Sequence, residues 1–244
     1  MKSYIIYNSP DIGSMHFAES ALQDAISNGF DAELFDGVWK TDSKKFCEER
    51  GIVLNENWLL KSEWHKQNPK QQERLIEYSK STGNMGCFAS HFLLWEKCIA
   101  SKEAICIFEY DVLIKRPLPD NILDKFDEAI EICRSPANDK PPYDKVMEDN
   151  EFKDFEVIDF PEPGFARGNS TGYILKPKGA KNLIGVSKEQ GYLSLDTMLN
   201  RDWLDYKKLI PGIASKSIKY SVVAPKKQEY SKRIRNKLKR KKRQ

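Results

Sequence analysis

Ala104-Ile105-Cys106-Ile107-Phe108-Glu109-Tyr110-Asp111-Val112 is the stretch that decides how this chain folds. Residues 104–108 form a continuous apolar run of strand length, as expected of a strand covered on both faces. The run ends in two carboxylates at alternate positions. Immediately before it, apolar residues recur at helical spacing from the Gly83–Gly86 punctuation to about Ala100. Phe88, Trp95 and Ile99 fall in one row and Cys87, Leu94 and Cys98 in the next. Further back, Tyr4–Tyr7 reads as a buried strand. Phe17–Asn28 reads as a helix with Leu22, Ala25 and Ile26 on one face, and Asp31–Phe35 as a second strand. A strand-helix-strand order implies parallel pairing, hence an α/β fold with a mostly parallel sheet and helices on both faces. Residues 40–82 are richer in charge and hold two helical candidates, Lys44–Arg50 and Gln71–Lys80, read as an insert over the sheet. C-terminal to the deciding stretch, residues 134–150 read as a mobile loop, with turn chemistry at Pro141-Pro142. Glu156–Phe160 and Thr171–Leu175 read as strands, the latter ended by Pro177 and followed by a helix from Gly179 to about Ser187.

A chain of 244 residues with 40% hydrophobic and 11% aromatic content can bury the core of one domain, expected over residues 1–225. Nowhere does an apolar run approach the roughly 18 residues of a membrane span. The short apolar N-terminus reads as the first strand rather than a signal peptide, so a cytoplasmic location is expected. Five cysteines, an odd number with no Cys-x-x-Cys pair, argue against a disulfide framework or a zinc site and for buried free thiols. The net charge of +4 conceals a split. Residues 226–244 hold 11 Lys/Arg and one Glu, a local +10, which leaves −6 on the rest. In this basic tail Tyr230, Ile234 and Leu238 recur every four residues. As a helix it suits an anionic membrane, placing the protein at the membrane periphery, or the phosphates of nucleic acid; a solvated tail is the plain alternative.

Four features bear on chemistry. Glu109 and Asp111 sit at the C-terminal end of their strand, the edge at which open α/β sheets bind ligands. Two hard oxygen ligands suit Mg²⁺ or Mn²⁺, which bridges carboxylate and diphosphate and neutralises a departing nucleoside diphosphate. The alternative is an acidic strand end that faces solvent. His91 lies among apolar residues on the preceding helix, either as a satisfied core histidine or, because that helix feeds the acidic strand, as a wall of the same crevice. Gly172–Lys181 reads by itself as a plain strand-turn-helix. Asp196, between Leu195 and Thr197, either caps a helix or acts as a general base.

Together these segments resemble glycosyltransferase family 25, the lipopolysaccharide and collagen sugar transferases. The likeness rests on Gly83-Asn84-Met85-Gly86-Cys87-Phe88-Ala89-Ser90-His91, Glu109-Tyr110-Asp111, Gly172-Tyr173-Ile174-Leu175-Lys176-Pro177-Lys178-Gly179-Ala180-Lys181 and Ser194-Leu195-Asp196, with Asn8 after the first strand. It implies a GT-A-like (Rossmann-like) single domain and a hexose moved with inversion from a nucleotide-sugar donor, UDP-sugar by default. The acceptor would be a hydroxyl on a glycan, lipid-linked or lipopolysaccharide molecule. It implies Asn8, Ser90, His91 and Glu109 at the donor, Glu109 and Asp111 at a Mn²⁺ or Mg²⁺ ion, and Asp196 as the base. Tyr110 stands where the family has Asp, and the family's Arg-rich segment is replaced by Pro10–His16. These departures motivate one alternative, a degenerate member that binds nucleic acid or membrane through its tail; a second alternative keeps the chemistry and makes modified DNA bases the acceptor.

Overall fold

The computed structural model describes residues 1–56, 69–134, 155–159 and 169–216. A seven-stranded mixed sheet runs in the order β2 (Asp31–Asp36), β1 (Lys2–Tyr7), β3 (Ile105–Glu109), β8 (Gly172–Leu175), β5 (Ala129–Glu131), β9 (Tyr206–Ile210), β7 (Glu156–Asp159). β1 pairs parallel with both β2 and β3, as the strand-helix-strand reading requires, and β8 enters antiparallel between β3 and β5. A smaller sheet of β4 (Val112–Ile114), β10 (Ala214–Lys216) and β6 (Cys133–Arg134) lies just beyond β3.

Two hydrophobic clusters fill the two faces of the large sheet, and side-chain alternation assigns residues between them. On β3, Ile105 and Ile107 join one cluster while Cys106 and Phe108 join the other; Tyr4 and Ile6 part in the same way from Ile5 on β1, and Tyr173 and Leu175 from Ile174 on β8. The first cluster lies under α4 (Thr82–Ser101), whose Phe88, Phe92 and Trp95 are fully buried. α2 (Lys40–Glu49) and α5 (Pro177–Glu189) pack on α4. The second cluster lies under α1 (Ile12–Ser27). Four of the five cysteines are buried within these clusters, Cys87 packs against the first, and all five are free thiols.

Three sequence expectations are corrected. α1 starts earlier, because Asp11 caps it by accepting from the amides of Gly13 (2.9 Å) and Ser14 (3.1 Å). Its buried stripe is Ala18, Ala21 and Ala25, whereas Ile26 is 53% exposed, since a helix lying close to a sheet buries its small residues. Gly83 and Gly86 do not precede α4 but stand in its first turns, because Ser81 caps the helix by accepting from Asn84 N at 3.2 Å. A Cβ on Gly86 would lie 2.8 Å from the Val38 carbonyl oxygen, so that glycine serves close packing rather than a turn. The two helices expected within 40–82 run over Lys40–Glu49 and, as α3, over Pro69–Lys80. The expected loop at 134–150, apart from Arg134 at the end of β6, and the tail at 226–244 lie outside the described residues.

Candidate active site

β1 and β3 end side by side, β8 begins at the same edge because it runs antiparallel, and α2 and α4 both start there. These ends surround a cleft of about 820 Å³, part of it open to solvent. Asn8, Ser90, His91, Glu109 and Asp196 all line it, so five residues chosen from four separate segments share one wall-to-wall space. Asp111 does not. The chain turns at Tyr110–Asp111 and leaves the large sheet through β4, so Asp111 is 1% exposed beneath the cleft.

Glu109 is the hub. Its Oε1 accepts from Ser170 Oγ at 2.7 Å and lies 3.7 Å from Cys87 Sγ, and its Oε2 accepts from Lys216 Nζ at 3.2 Å. Burial works to raise its pKa, but the Lys216 charge and the hydrogen bonds outweigh it and hold the carboxyl at about 2. Ser170 also donates, through both N (3.0 Å) and Oγ (2.6 Å), toward Oδ1 of Asp196. One hydroxyl has one proton and cannot donate to two carboxylates at once. The hydroxyl proton therefore serves one carboxylate at a time, while Ser170 N donates to Asp196 in either case. Asp196 is open to the cleft yet crowded by protein, and that desolvation, with the Glu109 charge, raises its pKa.

His91 is fully buried. Its Nδ1 meets Tyr173 Oη at 2.9 Å, and Trp95 Nε1 donates to the same oxygen at 2.9 Å. If Tyr173 spends its proton on His91, the imidazole proton lies on Nε2, a buried atom with no hydrogen-bond partner among the described residues. Burial, only partly offset by Glu109, lowers the His91 pKa to about 4, so the ring is neutral. Ser90 is engaged on both sides: its hydroxyl donates to Gly86 O at 2.6 Å and accepts from Val38 N at 2.9 Å. Its visible work is to pin the β2–α2 connection, and with it Trp39 and Lys40, against α4 along the cleft.

The sequence model of Glycosyltransferase family 25 (LPS biosynthesis protein) matches residues 17–199. The chain belongs to glycosyltransferase family 25. No curated protein shows significant sequence similarity to it. Family 25 membership implies a sugar donor and an acceptor, and it agrees with the α/β sheet flanked by helices. Among the described residues no helix is long and apolar enough to cross a membrane.

The divalent cation expected at Glu109 and Asp111 does not fit this family 25 cleft. Lys216 Nζ stands between the two carboxylates, 3.2 Å from Glu109 Oε2 and 3.6 Å from Asp111 Oδ2. A second cation drawn to the same oxygens would meet repulsion on the order of 4 kcal/mol per unit of its charge at 4 Å. Cys87 Sγ, a His91 nitrogen and a Glu109 oxygen do lie within 4.8 Å of one another. A sulfur-nitrogen-oxygen set is not what Mg²⁺ selects, and burial together with the Glu109 charge pushes the Cys87 thiol well above its usual range.

Sequence reasoning missed Ser170, Lys216 and Cys87 as members of the site. Ser170 was visible only as the middle of Asn169-Ser170-Thr171, a glycosylation sequon; in the fold Asn169 Oδ1 accepts from Thr171 N at 3.0 Å and shapes the entry to β8. Lys216 carries no local signal, because it reaches the site only through the pairing of β10 with β4, where it faces Val112.

Proposed function

We infer that this family 25 member transfers a hexose, with inversion, from a nucleotide-sugar donor, UDP-sugar in the first instance. The acceptor is a hydroxyl of a glycan or lipopolysaccharide. The observation that carries the reading is the Glu109–Ser170–Asp196 bridge at the mouth of the sheet. In an inverting transfer the acceptor oxygen bonds to the anomeric carbon as the bond from that carbon to the diphosphate oxygen breaks. The acceptor proton must then go to a base. Asp196 suits that role. Both Ser170 bonds land on its Oδ1, which leaves Oδ2 to take a proton from a hydroxyl in the cleft. Its raised pKa makes it a stronger base than an ordinary carboxylate, and opening to solvent lets an acceptor reach it. Ser170 is the positioning group, and desolvation together with the Glu109 charge beside it supplies the basicity. Asn8, His91 and the α2 start line the same cleft and would frame the donor.

The test is turnover of a panel of nucleotide sugars, followed by Asp196→Asn. The variant should lose about a hundredfold or more in kcat, the size of a general-base contribution. Its affinity for UDP should change little. Failure to turn over any common nucleotide sugar, or an Asp196→Asn enzyme as active as the parent, would overturn the reading.

A further inference from the structure

We propose that the ammonium of Lys216 takes the place of a divalent cation in this enzyme, binding the donor diphosphate and stabilising it as it leaves. The inference rests on the nucleotide-sugar reading above. Lys216 lines the cleft, with its side chain 38% exposed, and it reaches both carboxylates of the Glu-Tyr-Asp segment. An ammonium has three donors. Glu109 and Asp111 accept at most two, which leaves the third for a phosphate oxygen in the cleft that Lys216 lines.

Geometry fixes the lysine there. β10 pairs antiparallel with β4, placing Lys216 opposite Val112, one residue past Asp111. β6 holds β10 from its other side. The small sheet therefore works as a bracket that delivers one cation to the end of β3. Nothing else described in the sequence explains why Asp111, turned out of the cleft and almost fully buried, should be an acid: its Oδ1 has no hydrogen-bond partner, and its visible contact is with Lys216. In this arrangement Glu109 and Asp111 hold the ammonium in place, as carboxylates elsewhere hold a metal.

The charge balance is compatible with an anionic ligand. Lys40 and the N-terminus of α2, which has no side-chain cap, border the same cleft and favour an anion. As the bond between the anomeric carbon and the diphosphate oxygen breaks, both electrons stay on that oxygen. Lys216 keeps its proton and donates a hydrogen bond to the departing diphosphate, whose new charge it faces.

The experiment measures UDP binding by calorimetry to the full chain, in EDTA and in MnCl₂, for the wild type, Lys216→Gln and Lys216→Arg. The wild type should bind equally well in both solutions. Lys216→Gln should weaken binding in EDTA by about ten- to a hundredfold, the loss of one charge-assisted hydrogen bond, and Lys216→Arg should restore most of it. Sugar transfer should likewise survive EDTA in the wild type. UDP binding that appears only with Mn²⁺ would overturn the role of Lys216 and leave the glycosyltransferase reading standing. So would a Lys216→Gln protein that binds UDP in EDTA as the wild type does. If no nucleoside diphosphate binds in either solution, the donor reading itself fails and this inference falls with it. The wild-type comparison needs no variant to fold.

Discussion

At the scale of single residues, two buried groups titrate in opposite senses within one site. His91 is held near 4 by burial, against an ordinary value of 6.5. Unfolding lets it bind a proton between those values, so its contribution to stability is full above pH 6.5 and is lost as the pH falls toward 4. Asp111 is raised to about 7 from 3.8 by burial and by Glu109, less the pull of Lys216. The folded state binds the proton more tightly here, so stability from this group grows as the pH falls from 7 toward 3.8. Between pH 7 and 5 each change is about 2 kcal/mol and the signs oppose, so the pair nearly cancels. His91→Gln removes one of the two. The variant should be less stable than the wild type at pH 7, having lost a buried contact with Tyr173, yet respond more favourably to acidification to pH 5 than the wild type does. Urea unfolding at both pH values decides this; parallel pH responses in the two proteins would refute it.

At the scale of elements, the same substitution should act with opposite sign at two helical glycines. Gly86, in the first turns of α4, allows that helix to approach the β2–α2 connection, and an added Cβ would sit 2.8 Å from backbone oxygen, which cannot rotate away. Gly86→Ala should cost about 1–3 kcal/mol through overpacking. Because the displaced backbone is Val38, next to cleft residues Trp39 and Lys40, nucleotide affinity should fall too. Gly185, inside α5, has nothing within 4 Å of its missing Cβ. Gly185→Ala should stabilise by up to about 1 kcal/mol from helix propensity alone and leave nucleotide affinity unchanged. Thermal unfolding of the two variants side by side checks both signs. This pair also shows where the sequence was legible. The apolar run 104–108 announced β3 and the position of Glu109, because strand alternation is local. Helical spacing announced α4 and put His91 on it. The meaning of Gly86 was not legible, since a glycine that ends a helix and one that admits a neighbour look alike until the neighbour is placed. Ser170 and Lys216 stayed hidden for the same reason: each enters the site through strands distant in sequence. Asp111 looked equivalent to Glu109 two residues earlier, but the chain turns between them and the alternation stops.

At the scale of the whole molecule, charge separates the chain into a body of −6 and a tail, residues 226–244, of +10. Every described group of the cleft lies at or before Lys216. The tail carries Tyr230, Ile234 and Leu238 between its basic residues. On an anionic bilayer each basic side chain near the surface gains about 1 kcal/mol, and that attraction is screened within a Debye length. The full chain should therefore sediment with vesicles that contain phosphatidylserine, remain in solution with purely zwitterionic ones, and be released as salt is raised. A chain ending at Pro225 should lose vesicle binding at every salt concentration, while its UDP affinity and melting temperature stay those of the full chain. The acidic body would be repelled by the same vesicles, which makes the loss complete rather than partial. Vesicle binding that survives the truncation, or that does not weaken with salt, would show that the attraction lies elsewhere than in the charge of the tail.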